Sequence, residues 1–379
     1  MDILMVCHYG LYQDLSFSFV HAQAKAYADL GHNVRVIIPI AIGKSDAQGR
    51  KYNLGMTQTE QDGVTLYYLR YLSLSQYGEK RFNVGRAYGA VRRHWKAITA
   101  DFSPVCIHAH TLGFDSQLAT AIKKRLGCPL LVTTHGSDTS IPHKNGQLEA
   151  LRGWCDSADC VVAVSTALAN KVRACNTQTR IEVILNGFRL QHLPTKQNKK
   201  PFSLIQVGHL NAQKQGDVTI RAFSLLAKEY PQATLTLIGQ GPMRERWQAL
   251  CTELGVADKV FFLGQIPNDR VLAEMAGSQF FVMPSVGEGF GIVYLEAMAC
   301  GCITIGTKGE GIADLIEHEV NGFLVAPQDP EAIVQVITSC LQDPQAAQTI
   351  AVSGQTAATE LTWETNAKHY IELIEEIVK

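Results

Sequence analysis

Short apolar runs recur along the chain, and stretches with helical spacing separate them. In the first half the runs are "ILMVC", "VRVIIP", "VTLYYL", "VCIHAH", "LLVTT", "CVVAV" and "IEVIL". Few alternate strictly between apolar and polar, so they predict strands covered on both faces. Between them lie "FVHAQAKAYADLG", "AYGAVRRHWKAI", "SQLATAIKKRLG" and "TALANKVRAC", whose apolar residues fall three and four apart; these predict amphipathic helices. Gly31 and Gly127 stand where helix C-caps are expected, just ahead of the next strand. Strand and helix in alternation predict a parallel α/β sheet.

The pattern breaks at "RLQHLPTKQNKKP", a polar, basic stretch with two prolines that reads as a linker over 189–201. It then restarts with "FSLIQVG", "ATLTLIG", "KVFFLG", "QFFVMP", "CITIG" and "GFLVAP". Two doubly wound domains are expected, 1–188 and 202–358, with a cleft between them. The last segment, 359–379, holds the amphipathic "TWETNAKHYIELIEEIVK" and predicts a helix able to cross back to the first domain.

Composition narrows the class. A chain of 379 residues is too long for one ordinary core, and 46% hydrophobic with 18% charged residues excludes a disordered one. No apolar run reaches about 18 residues, the length a bilayer requires. The start, "MDILMVCHYG", lacks a basic n-region and reads as a buried strand, not a signal peptide. Ten cysteines without a CxxC pair suit a reducing compartment, so a cytoplasmic location is expected. The net charge of −1 conceals an asymmetry: residues 1–190 hold 21 Lys+Arg against 14 Asp+Glu, and residues 191–379 hold 13 against 21. Lys80, Arg81, Arg86, Arg92, Arg93 and Lys96 cluster near Trp95. They form either a solvated face or a peripheral contact with anionic lipid or a phosphate-bearing acceptor. No nucleic-acid motif accompanies them, so nucleic acid is not an expected partner.

The densest chemistry lies in "SVGEGFGIVYLEAMACG", Ser285 to Gly301. It follows a strand and runs into a helix, the place where open α/β sheets bind ligands. Gly289 and Gly291 let backbone approach a ligand, and the amides around Phe290 to Ile292 offer an anion site at a helix start. Glu288 sits in the loop. If the segment is fully helical, Glu296 lies roughly 12 Å further on. Two carboxylates flanking an anion site suit a long ligand with hydroxyls at both ends, such as a sugar nucleotide. The bland alternative is a helix-dipole glutamate followed by an exposed one.

"VGHLNAQKQGDV" places Lys214 in a polar loop after another strand, where a lysine can neutralise a departing diphosphate. "LTLIGQGPMRERW" has Gly239 and Gly241 after a strand but Arg244 at the third glycine position, so a phosphate- or base-facing loop at Gly241 is the better reading than a nicotinamide site. "LLVTTHGSDTS" puts His135 and Asp138 past a strand end, where His135 either meets a sugar or acceptor hydroxyl or pairs with Asp138. "IHAH" sets His108 and His110 on one face, a metal-like pair without an evident third ligand, so packing is favoured. No DxD pair occurs, so metal-assisted diphosphate binding of that type is not supported and no metal or other cofactor is expected.

These residues resemble glycosyltransferase family 4, retaining enzymes of the GT-B architecture. Glu288 to Glu296 matches its E-x7-E motif, and the similarity extends through "TKGEGIADLIEHEVNGFLVAPQDPEAI", "FLGQIPNDRV", "VGHL…K", "ILNGF" and "THGSD". The resemblance implies that Glu288 contacts donor-sugar hydroxyls and Glu296 the ribose. The amides of Gly289, Phe290, Gly291 and Ile292, with Lys214, would hold the diphosphate, and His135 would line the sugar site. His209 stands where the family usually has arginine, and "HYGLYQDLSFSFVHAQ" lacks the usual Gly-Gly pair. "SFSFV", with Ser16 and Phe17, is similar to openings of surface-polysaccharide transferases, which points towards glycan assembly.

The resulting expectation is retaining, metal-independent transfer of a hexosyl unit from a UDP-linked donor to a hydroxyl of a glycan or lipid-linked glycan. Two rival readings are a GT-B-type sugar-nucleotide epimerase and a non-catalytic sugar-nucleotide sensor. Nucleotide release that depends on an acceptor separates the three.

Overall fold

The computed structural model describes residues 1–8, 19–42, 54–73, 80–144, 146–190, 193–194 and 198–379. They form two compact units: Met1–Leu185 with Trp363–Lys379, and Asn186–Thr362.

The first unit is built on β1 (Asp2–Val6), β2 (Asn33–Ile42), β3 (Met56–Gln61), β4 (Val64–Leu72), β5 (Cys106–Ala109), β6 (Leu130–Thr134), β7 (Cys160–Ala163) and β8 (Arg180–Val183). Their order is β3-β4-β2-β1-β5-β6-β7-β8, parallel throughout except for β3 against β4. Every residue of β5, β6 and β7 is buried, the signature of strands covered by helices on both faces. The antiparallel β3 escapes the sequence pattern because it reads "MTQTEQ", a mostly exposed edge strand without an apolar face.

The second unit carries β9 (Lys200–Val207), β10 (Thr234–Ile238), β11 (Val260–Gly264), β12 (Ser278–Val282), β13 (Ile303–Thr307) and β14 (Phe323–Val325). Their order is β11-β10-β9-β12-β13-β14, all parallel. Each unit has its own apolar core, one around Leu4, Ile107 and Val132 and the other around Phe223, Trp247 and Phe280. Both are doubly wound α/β sheets.

The expected boundaries need correction. The second unit begins at Asn186 and runs to Thr362, because the entering and leaving segments pair: Phe188 N–H donates to the Leu361 carbonyl at 3.1 Å. The last two residues of the expected linker, Lys200 and Pro201, belong to β9. The closing helix, Trp363–Val378, is part of the first unit. Gln23 Nε2 donates to Asn366 Oδ1 at 2.8 Å, Tyr370 Oη lies 2.9 Å from Thr133 Oγ1, and Arg180 pairs with Glu376 at 2.9 Å. Among the described residues, no helix is long and apolar enough to cross a membrane.

The basic stretch is spent partly on packing. Arg86 and Arg93 donate to the carbonyls of Leu72 and Leu54, and Arg125 lies 4.8 Å over the Trp95 ring. Arg92 and Lys96 are exposed. The helix expected to run through Ile98 breaks at His94 into Lys80–Arg93 and Trp95–Ile98.

Candidate donor site

In the second unit, β9 ends at a turn that leads through a short 3-10 segment, Ala212–Lys214, into the helix Gly216–Glu229. That turn runs against the loop after β10. Gly208 N–H donates to Ile238 O at 3.0 Å, Leu210 N–H to Gln240 O at 2.8 Å, and Met243 N–H to Leu210 O at 2.9 Å. Backbones this close leave no room for side chains: a Cβ on Gly239 would sit 1.9 Å from Gly208 O, and one on Gly241 would sit 2.3 Å from Leu210 O. The glycines are thus required by strand-end packing, a correction to the ligand-facing reading of Gly241. His209, between Gly208 and Leu210, is exposed.

After β12 the chain enters the glutamate loop, and its geometry corrects the sequence reading. The helix spans only Ile292–Ala299, and Gly291 precedes it in the left-handed region at φ 83°. Glu288 therefore lies outside the helix, and the separation of about 12 Å expected for a continuous helix does not apply. Gly291 is needed for its dihedral. No side chain caps the helix, so its first-turn N–H groups are left for a ligand. Phe290 contributes its backbone here, because its side chain is core. Tyr294, fully buried, fixes the loop base: its hydroxyl bonds the Met283 carbonyl and lies 2.9 Å from Ser285 Oγ.

The two loops are stitched together. Val286 N–H donates to Gln213 O at 2.9 Å, and Gln213 Nε2 donates to Gly287 O at 2.7 Å. Lys214 Nζ then pairs with Glu288 Oε2, both side chains about five-sixths buried at 15% and 16% exposure. Glu310 completes the arrangement, its carboxylate accepting the Glu288 backbone N–H at 3.0 Å. Gln213 and Glu310 were not singled out by sequence. Each lies within a few residues of a recognised motif, but nothing in their type or spacing marks them.

Glu296 is treated differently. It sits on the helix Ile292–Ala299 and has no hydrogen-bonding or cationic partner among the described residues. Burial alone pushes its carboxyl up to about 7. A half-buried carboxylate without a donor is poised to accept hydroxyl protons.

In the first unit, His135 follows β6. Its Nε2 lies 3.3 Å from His110 Nδ1, the two rings stack at 5.6 Å, and Phe19 packs 4.3 Å from its centroid. Burial lowers His135 and His108 to about 3, and His110 well below its ordinary value. His108 bonds Thr133 Oγ1 at 2.8 Å and Tyr27 Oη at 3.3 Å, so packing accounts for it. Among the described residues, no group of three or more His, Cys, Asp or Glu could hold a metal ion.

Asp138 does not pair with the His135 ring. Its carboxylate accepts the N–H groups of Leu112, His135 and Gly136 and the Thr134 hydroxyl, at 2.9 to 3.2 Å. Burial pushes its carboxyl up, against those four bonds. A group so fully used organises the turn that carries His135 and has little capacity left for an acceptor, which corrects its candidacy there. Ser16 and Phe17 lie outside the described residues.

Two family models match the chain in succession: Glycosyltransferase Family 4 over residues 18–192, and Glycosyl transferases group 1 over residues 189–356. An uncharacterized glycosyltransferase of Methanocaldococcus jannaschii is 38% identical over 37% of this chain and 36% of its own length. The GDP-mannose-dependent alpha-(1-6)-phosphatidylinositol monomannoside mannosyltransferase of Mycolicibacterium smegmatis is 32% identical over 45% of this chain and 47% of its own. These matches thus span about a third to a half of the relatives' length. Among solved structures, sucrose-phosphate synthase from Thermosynechococcus elongatus superposes with a TM-score of 0.76 at 20% identity, covering 99% of each chain. Anabaena HepE in complex with UDP-glucose gives 0.74 at 22% identity, also over 99% of each. With the two models meeting end to end on two parallel-sheet units, the chain belongs to the family 4 glycosyltransferases of GT-B fold.

Proposed function

We propose that the chain moves a hexosyl unit from a UDP-linked sugar to a hydroxyl of a glycan or lipid-linked glycan, with retained anomeric configuration and without metal. The observation carrying this reading is the Lys214–Glu288 pair beside the uncapped start of the helix Ile292–Ala299, with the unpaired Glu296 further along it. A diphosphate at that start meets the amides of Gly289 to Ile292 and gives Lys214 a second anion. Glu288 then accepts donor-sugar hydroxyls, and Glu296 accepts the ribose hydroxyls.

In the transition state the sugar acquires oxocarbenium character while charge grows on the leaving diphosphate. Lys214 and the helix start stabilise that charge in place. The leaving phosphate takes the proton of the attacking hydroxyl, so this scheme requires no separate base. His135, neutral across the physiological range, lines the sugar site as a hydrogen-bonding group. Glycan assembly at the inner face of an anionic membrane gives the exposed Arg92 and Lys96 a partner.

The test is thermal stabilisation by UDP, GDP, ADP and NAD, each with and without EDTA. GDP is included because the mannosyltransferase relative is GDP-mannose-dependent. A ligand at 100 times its Kd stabilises by about 2.7 kcal/mol. A shift with UDP that survives EDTA is expected. A shift with NAD alone, or one that EDTA abolishes, refutes the site.

A further inference from the structure

The first sheet has a feature that the donor reading does not use. Its strand order reverses between β1 and β5, since β1 leads on to β2 on one side while β5 leads to β6 on the other. At such a reversal the following connections diverge and open a crevice beyond the carboxyl ends, where doubly wound sheets bind ligands. His8 stands two residues past β1, and Asp115 lies in the first turn of the helix Phe114–Leu126, which follows β5. His8 Nδ1 is 2.6 Å from Asp115 Oδ1. The other Asp115 oxygen accepts the Thr111 hydroxyl at 2.9 Å, and Asp115 is fully buried.

His8 is less enclosed, its side chain 33% exposed. A carboxylate at Nδ1 keeps the proton on that nitrogen, which makes Nε2 the lone-pair atom and fixes the ring's direction. The half-buried Phe114 ring stands edge-on at 5.2 Å, with Tyr71 stacked against it at 6.3 Å. A directed hydrogen-bonding group beside an aromatic ring suits a ligand with hydroxyls on its edge and C–H groups on its face.

We propose that the His8–Asp115 pair anchors a hydroxyl of a polyhydroxylated acceptor, with His8 touching the acceptor and Asp115 as its positioning residue. The inference rests on the transferase reading above. The anchored hydroxyl neighbours the attacking one, whose proton still leaves with the diphosphate.

The experiment measures transfer by the full chain to octyl glucoside, galactoside and mannoside from the nucleotide sugar selected by the thermal screen. His8→Ala should lower kcat/KM for the glycoside used by about tenfold or more, the scale of a lost directed hydrogen bond. His8→Gln, which returns a polar atom near Nε2, should recover most of it, and Asp115→Asn should fall between. All three should keep the wild-type thermal shift with UDP, which monitors the second unit.

Transfer by His8→Ala within twofold of wild type overturns the proposal, as does His8→Gln no better than His8→Ala. An inverted product whose formation needs His8 would make it the base and overturn the proposal too. So would a wild-type chain that hydrolyses donor but glycosylates none of the three glycosides. Failure of wild type to bind any nucleoside diphosphate instead sinks the transferase reading itself.

Discussion

Beyond β5 and β6 the first unit stacks histidines that burial keeps neutral, while beyond β9 and β12 the second unit sets Lys214 against Glu288 and leaves Glu296 unpaired. Both places end buried parallel strands, so the scaffold is the same and the charge is not. Neutral imidazoles stacked on one another satisfy packing and hydrogen bonding at little electrostatic cost. The second arrangement keeps ionisable groups enclosed, which a fold tolerates where a ligand completes them. The contrast assigns charge stabilisation to the second unit and neutral hydroxyl recognition to the first.

The strongest way to break that contrast is Lys214→Ala. If Lys214 neutralises the leaving diphosphate, kcat should fall by about a hundredfold or more, the usual loss for one preorganised donor. Lys214→Arg should retain part of it. The change also strips Glu288 of its cation, so unfolding must be followed alongside the steady-state rate. An unchanged kcat in a folded Lys214→Ala removes the lysine from the chemistry and leaves it as loop stitching.

Glu296→Gln sharpens the comparison by setting function against stability. The folded carboxyl is raised from its ordinary value of 4.5 to about 7. Between those values the folded chain holds a proton that the unfolded chain has released, so stability falls as pH rises through the window. The full penalty, up to about 3 kcal/mol, applies above pH 7 and vanishes below about 4.5. Chemical denaturation should therefore find Glu296→Gln more stable than wild type at about pH 8 and equal near pH 4. Donor affinity should move the other way, because a neutral amide accepts the ribose hydroxyls less strongly than a carboxylate. A variant that gains stability with no loss of donor affinity would make Glu296 a misplaced core residue.

Much of this was legible in the chain. The strands of β5 to β7 are apolar on both faces, so their runs stand out, and E-x7-E is spelled out in adjacent residues. β3 was missed because an exposed edge strand has no apolar face to register. The pairing of Lys214 with Glu288 joins residues 74 positions apart, and no local pattern encodes it. Glu310 and Gln213 escaped for the same reason. The glycines after β10 misled in the opposite direction: backbone crowding against Gly208 and Leu210 and a phosphate approach call for the same residue. His8 and Asp115 were hidden because a residue just past a strand and one just inside a helix carry no signal until topology brings them together.

The histidine row offers the next test. His135 is neutral down to about pH 3, whereas an unfolded imidazole protonates near 6.5. Below 6.5 the unfolded chain binds a proton that the folded chain does not, so the row's contribution is fully present above 6.5 and is lost as pH falls. Each such imidazole adds about 1.4 kcal/mol per pH unit to the slope across that window. His135→Asn should flatten the dependence of unfolding free energy on pH, between about 6 and 4, by that amount. An unaltered slope would mean that His135 is protonated in the folded state, and the division into a neutral and a charged region would fail.

The smallest effect tests whether the neutral row is braced from within its own unit. Tyr370, on the closing helix, bonds Thr133, and Thr133 bonds His108. The Tyr370 ring also lies 5.1 Å from that of His108, nearly parallel. Tyr370→Phe keeps the ring and removes the hydroxyl, so the loss should be about 1 kcal/mol, one buried hydrogen bond. Because the Thr133 hydroxyl retains His108, the imidazole should stay neutral and the acid slope should not change. The nucleotide-induced thermal shift should persist as well, since none of these groups belongs to the second unit. A lower melting temperature with both other readouts intact places the closing helix as structural support. A changed acid slope would show that the hydroxyl helps to hold His108 neutral, and that the row depends on hydrogen-bonded support as well as burial.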